Sequence, residues 1–286
     1  MFLQKKNQIK ILAGLFIITI IIWISVFAEN TDNDILEINF FDVGQGDAIF
    51  IESPDGKQML IDGGPSSVIL EKLGREMKFY DRYIDLVLLT HPEYDHINGL
   101  IEVIKRYRVG AIITTGVVRD TNQYKEWVRI IEEKNIPIYV AKFGGEIDFG
   151  KNIKMDILYP FESLVGQKVS NTNNSSIVGK LVYKEFEVLL TGDIEKVIER
   201  KLINSGIDLR ADILKVPHHG SKTSSTKEFL KAVSSVLNII QAGKDNKYGH
   251  PHEEVLERMA EIPVFVTGEI GDVQILSKGK EIRIFQ

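Results

Sequence analysis

Between residues 36 and 61, apolar residues come in short bursts separated by glycine turns. Leu36–Val43, Asp47–Glu52 and Gln58–Ile61 read as three strands, with turns at Gly44-Gln45-Gly46 and Pro54-Asp55-Gly56. A continuous apolar strand, Asp85–Leu89, ends at Thr90. The period then changes, and Ile97, Leu100, Ile101 and Ile104 share one face of a helix over 97–107. A strand (111–114), a helix (124–134) and a strand (136–140) continue the alternation. The second half opens on a strand at 153–158, a polar loop at 170–174 and a hairpin of 176–183 with 185–190. Helix 194–203, strand 212–216, helix 226–233, strand 236–240, helix 253–260 and strands 264–267, 273–276 and 282–285 follow. Each half thus runs from hairpins into β-α alternation, the pattern of two packed sheets with helices outside.

The first thirty residues differ. Lys5, Lys6 and Lys10 precede an uncharged run, Ile11–Ala28, with no polar face. As a helix it would span about 27 Å, close to a bilayer's hydrocarbon thickness. Basic then apolar is the order of a signal peptide or signal anchor over residues 1–30. Val26 and Ala28 are small enough for cleavage, while the length of the run and Trp23 favour retention. The expectation is a transmembrane helix, an acidic linker over 31–35, and a catalytic domain over 36–286. The lysines would stay cytoplasmic and put the domain outside the membrane; cleavage would make it secreted.

Composition narrows the chemistry. The 286 residues contain no cysteine, so any metal must be held by nitrogen and oxygen. Net charge is -5, and -7 once residues 1–30 are set aside. Tight duplex-DNA binding through counterion release is therefore not expected. All six histidines fall in three pairs: His91/His96, His218/His219 and His250/His252. Each pair follows a strand or lies in a polar loop, where open α/β sheets carry ligands. The run from His91 to His96 offers His91, Glu93, Asp95 and His96 on one strand-to-helix turn. Capping the helix needs only Asp95 and leaves two histidines unexplained. Asp193, after Thr191-Gly192, reads on its own first as an N-cap and only second as a ligand. Imidazole with carboxylate suits zinc, manganese or iron.

Asp62-Gly63-Gly64, the His91–His96 run, Gly192-Asp193 and His218 resemble, in order, the motifs of the metallo-β-lactamase superfamily. Phe41-Asp42-Val43-Gly44-Gln45-Gly46-Asp47-Ala48 and Leu214-Lys215-Val216-Pro217-His218-His219-Gly220-Ser221-Lys222 resemble the soluble domain of the competence protein family ComEC, as do Asn173-Asn174-Ser175-Ser176 and Tyr248-Gly249-His250-Pro251-His252. The likeness covers residues 36–286 and does not extend to the multi-helix channel of that family. It implies an α/β (α+β in some schemes) four-layer αββα sandwich with one or two divalent ions, zinc or manganese, at the sheet edges. Asp95, His96 and His218 would hold one ion, Asp193 would bridge, and His91 and Glu93 would serve the second. The sequence leaves open whether His218 or His219 is the ligand. Two departures make the second site more oxygen-rich. Glu93 replaces the usual histidine, and the Asn173-Asn174 region replaces the histidine that usually precedes Gly-Asp.

The expected reaction is hydrolysis by metal-activated water, with Asp95 or Asp193 orienting it and His250 donating a proton to the leaving group. His252 reads equally as a cap for the helix from Glu253. Asp62 would orient a ligating histidine, and Lys215, Lys222 and Lys244 are candidate contacts to an anionic substrate. The resemblance points to a phosphodiester, with extracytoplasmic single-stranded DNA as the leading candidate. An envelope or small-molecule ester or phosphodiester, and a non-catalytic metal-stabilised binding module, are the alternatives.

Overall fold

The computed structural model describes residues 2–28 and 34–286, with backbone alone for residues 2–6, 8, 9 and 24–28. The chain divides into two units, Met1–Asp34 and Ile35–Gln286. The first holds helix α1 (Phe2–Ala28). Its side chains from Ile11 to Trp23 include many large exposed apolar groups. Among the described residues, however, no helix is long and apolar enough to cross a membrane. The transmembrane helix expected over 11–28 therefore lacks support, since the side chains that would extend the apolar run past Trp23 lie outside the described residues. Residues 31–33 of the expected linker at 31–35 also lie outside them.

The second unit begins with β1 (Leu36–Phe40), β2 (Ile49–Glu52), β3 (Gln58–Ile61), α2 (Val68–Glu76), β4 (Tyr83–Leu89), α3 (Tyr94–Arg106), β5 (Arg108–Thr114), α4 (Asn122–Lys134) and β6 (Ile138–Val140). It continues with β7 (Glu146–Asp148), β8 (Ile153–Tyr159), β9 (Val178–Tyr183), β10 (Phe186–Leu190), α5 (Lys196–Asn204), β11 (Ile213–Lys215), α6 (Lys227–Val233), β12 (Leu237–Ile240), α7 (Glu253–Arg258), β13 (Val264–Val266), α8 (Thr267–Ile270), β14 (Val273–Ser277) and β15 (Ile282–Phe285). One sheet has eight strands in the order β15-β14-β1-β2-β3-β4-β5-β6; the other has seven, β13-β12-β11-β10-β9-β8-β7.

Period-two alternation explains the layers. Leu36, Ile38 and Phe40 of β1 and Phe186, Val188 and Leu190 of β10 join one buried cluster between the sheets. Val87 and Leu89 of β4 face a second cluster under α2, α3 and α4. Leu189, Leu214 and Ile240 face a third, formed with α5, α6 and α7. Three cores make four layers, αββα, as the resemblance implies. The four α3 residues expected on one face, Ile97, Leu100, Ile101 and Ile104, are all buried.

Strands β3, β4 and β5 run parallel, as do β10, β11 and β12. Their carboxyl ends present the loops that carry the histidines. The start of α3 is pinned against the turn after β3. Gly63 N–H donates to His96 O and Gly99 N–H to Gly64 O, both at 2.9 Å. A Cβ on Gly99 would stand 1.8 Å from Gly63 O, so this approach requires glycine.

Candidate metal centre

Five loops converge. Asp47 lies between β1 and β2, Asp62 follows β3, His91, Asp95 and His96 span the β4–α3 turn, Asp193 follows β10, and His219 follows β11. Ligand atoms of His91, His96 and Asp193 lie within 4.8 Å of one another, as do those of Asp95, His96 and His219, and of Asp47, Asp193 and His219. His96 Nε2 is 3.3 Å and His219 Nε2 3.2 Å from Asp193 Oδ2. His219 Nε2 is 3.4 Å from Asp95 Oδ2, and His91 Nε2 is 3.9 Å from Asp193 Oδ2.

Each imidazole is oriented by what holds its other nitrogen. His96 Nδ1 donates to Asp62 Oδ2 at 2.8 Å. Asp62 is fixed in turn by Thr90 N–H at 2.8 Å and the Thr90 hydroxyl at 2.6 Å. That hydroxyl has spent its proton on Asp62, so it accepts from His91 Nδ1 at 3.1 Å. His219 Nδ1 donates to the Gln241 carbonyl at 2.7 Å. All three rings thereby turn Nε2 toward the cluster.

Burial alone would depress His96 and His219, but Asp193, with Asp62 beside the first and Asp47 beside the second, raises both well above the ordinary range. Burial would likewise raise Asp193, but His219 and His96 hold it well below the usual carboxylate range. Burial and the neighbouring His96 push His91 down to about 3. Lys215, buried and ion-paired to Asp47, keeps its charge because Asp47 and Asp193 outweigh its desolvation. The carboxylates thus call for positive charge at their centre. Within it, His91 Nε2, His219 Nε2 and Asp193 Oδ1 are buried without hydrogen-bond partners. Three imidazole nitrogens and two carboxylates, with no thiolate, fit a divalent ion such as zinc or manganese.

The chain matches the model of the Metallo-beta-lactamase superfamily over residues 41–244. It belongs to that superfamily. It is therefore a metal-dependent hydrolase whose fold implies divalent metal ions, commonly zinc. Among curated proteins it is similar to ComE operon protein 3 of Bacillus subtilis, 29% identical over 264 residues, covering 85% of this chain and 33% of that protein. It is also similar to Recombination protein 2 of Haemophilus influenzae, 27% identical over 268 residues, covering 90% of this chain and 30% of that protein. The chain spans about a third of the length of these relatives. Igni18, a novel metallo hydrolase from Ignicoccus hospitalis, shares the fold with a TM-score of 0.55 at 16% identity, covering 88% of this chain and 99% of that one. YhfI, a metallo-beta-lactamase fold protein from Bacillus subtilis, also gives 0.55, at 11% identity, covering 87% and 100%.

Against the superfamily pattern, three expected residues are placed differently. His218 is not in the ligand cluster; His219 is. Both occupy left-handed backbone, with φ of 52° and 55°, and the turn sends them different ways. His218 Nε2 accepts from Asn173 Nδ2 and Nδ1 donates to Thr223 Oγ1, both at 3.1 Å, so neither nitrogen is free. Glu93 also stays out, because Arg119 (3.1 Å) and the Thr172 hydroxyl hold its carboxylate. Lys215, a candidate contact to substrate, is buried against Asp47 instead.

A pocket of about 200 Å³ opens beside the cluster, lined by Gln45, Glu93, Asp95, Asn173, Asp193, His218, His219, Tyr248 and His250. Burial and the charges of His219, His218 and His252 push His250 down to about 4, so it is neutral near pH 7. Gln45 Oε1 accepts from Gly243 N–H at 3.3 Å, which fixes the amide so that its Nε2 donates to His250 Nδ1 at 3.4 Å. His250 is then a neutral Nε2–H donor, which disfavours the proton-donor role expected of it. His252 precedes α7 without a side-chain capping bond; its Nδ1 accepts from Lys222 N–H at 3.3 Å. Asp47 and Gln241 are the residues the sequence reading passed over. Gln241 Nε2 donates to Phe41 O and Ala48 O, at 3.1 and 2.8 Å, tying β12 to the loop that bears Asp47.

Proposed function

We propose that the chain is a phosphodiesterase acting on single-stranded DNA outside the cytoplasm. The observation that carries this reading is the convergence of His91, Asp95, His96, Asp193 and His219, with unpartnered ligand atoms, on a pocket that also offers amide and imidazole donors. One of the relatives is named for recombination, which favours a nucleic-acid phosphodiester among the esters such a site can accept. The basic-then-apolar order of residues 5–23 supports an extracytoplasmic location; protease accessibility in intact cells tests it.

One or two divalent cations held among His91, Asp95, His96, Asp193 and His219 would supply Lewis acidity to water and to phosphoryl oxygen. Asp95, half-buried where the cluster meets the pocket, orients the attacking water. Gln45, Asn173 and His250 hold the phosphodiester, and His250 Nε2–H steadies an oxygen of the phosphoryl group. Water oxygen bonds to phosphorus, the P–O bond to one sugar breaks, and the water's proton ends on that sugar's alcohol. The test uses the full chain, stripped with chelator and reloaded with Zn²⁺ or Mn²⁺, on end-labelled single-stranded oligonucleotide. Asp193→Asn and His219→Ala should abolish cleavage while the circular dichroism spectrum is retained. Cleavage indifferent to chelator and to both substitutions refutes the proposal.

A further inference from the structure

The pocket is too small for a nucleotide. About 200 Å³ falls below the roughly 300–1,000 Å³ that encloses a drug-sized ligand. It encloses about a phosphate and part of a sugar, and it is open, so a base attached to that sugar can reach the rim. Tyr248 stands there. It lines the pocket beside Asp95 and His250, yet 53% of it is exposed. Its ring is stacked on His250, with centroids 5.7 Å apart and planes inclined by 22°. His250 is itself held by Gln45, which is anchored to Gly243, so the tyrosine rests on a fixed support. Asn246 secures the loop, accepting from Tyr248 N–H and His250 N–H at 3.1 and 3.0 Å. The ammonium of exposed Lys247 lies over the Tyr248 ring, 5.0 Å from its centroid, on a flexible stem that a stacking base would displace toward the neighbouring phosphate.

We infer that Tyr248 is a stacking platform for the base next to the scissile phosphate, making single-stranded, base-bearing oligonucleotide the favoured substrate of this site. An exposed aromatic ring backed by a second ring and flanked by a cation is the arrangement that binds unpaired bases without reading their identity. Lys247, on a flexible stem, is placed to meet the neighbouring phosphate. A duplex base is stacked already and offers no free face, so the platform discriminates against double strands. The local cation also reconciles nucleic-acid binding with the acidic net charge of the chain, because the contact is one nucleotide wide. The inference rests on the phosphodiesterase reading above.

The test compares oligothymidylate with an abasic deoxyribose-phosphate oligomer of equal length on the metal-loaded full chain. Wild type should prefer the base-bearing oligomer through KM. Tyr248→Ala should raise KM on oligothymidylate by roughly 5- to 150-fold, collapsing that preference, while Tyr248→Phe keeps it. Anisotropy of labelled oligothymidylate with chelator present should show the same weakening on Tyr248→Ala, independently of turnover. A Tyr248→Ala variant that keeps the preference, or that loses kcat alike on both oligomers, overturns the inference and leaves the phosphodiesterase reading standing. A wild type that cleaves neither oligomer overturns both.

Discussion

Asp62 touches no substrate, yet the geometry makes it decisive for metal binding. Its buried carboxylate accepts three hydrogen bonds: from His96 Nδ1, Thr90 N–H and the Thr90 hydroxyl. Asp62→Asn keeps the shape but replaces one acceptor oxygen with an NH₂ donor. If that amide meets His96, Nδ1 must become the acceptor and the proton moves to Nε2, where the metal should sit. If it takes the place of Oδ1 instead, the Thr90 N–H loses its acceptor. Loss of such an outer partner weakens metal affinity roughly 10- to 100-fold, about 1.4–2.8 kcal/mol. One buried unsatisfied group costs a further 1–3 kcal/mol or so of stability. Competition with a chromophoric chelator reads the first quantity, and melting with and without metal reads both. The gap between loaded and stripped melting free energies should shrink by the same 1.4–2.8 kcal/mol or so. An Asp62→Asn protein with wild-type metal affinity would show that His96 is not positioned through its Nδ1, and the argument would fail.

Other outcomes follow from the same geometry. His219→Ala should lower the metal content of the purified protein, whereas His218→Ala should leave it near the wild-type level, as elemental analysis will show; the opposite result would restore His218 as the ligand. Lys215→Met leaves Asp47 buried without its cation and should cost about 3–5 kcal/mol in denaturant unfolding. Gly99→Ala forces a Cβ onto Gly63 O and should destabilise the fold by about 1–3 kcal/mol or more, with loss of metal. In stripped protein the raised His96 and His219 contribute stability that is full below their unfolded range, near 6.5. That stability is lost as pH rises through their higher folded values. The stripped protein's melting temperature should therefore fall from about pH 6.5 upward, and a flat profile would contradict this.

Much of the fold was legible because its core is periodic. Alternation located β1 to β6 and most later strands within a few residues, and the α3 stripe was identified residue by residue. Helix α2 escaped because it is short, contains Gly74 and fully buries only Ile69 and Leu73. Strand β7, three residues long and polar, gave no signal. The site was legible as pairs of histidines after strands, but not its orientation. Adjacent histidines of a left-handed turn look alike in sequence, so which of His218 and His219 joins the cluster is fixed only by the backbone, which turns His219 inward. Glu93 sits among true cluster members, and its diversion depends on Arg119, 26 residues away. Lys215 could have been found: it follows Ile213 by two, and strand alternation puts it on the inner face at the strand's carboxyl end.

The chain crosses between its sheets once in the first half, through residues 141–145, where Gly144 has open space around its Cα. Asp47, Asp62, His91, Asp95 and His96 precede that crossing; Asp193 and His219 follow it. Cut at Gly144 and expressed as two polypeptides, the halves would each carry an incomplete set of donors. Their reunion would rest on the apolar core between the sheets and on β14 pairing with β1, and an ion that draws donors from both fragments would tighten it.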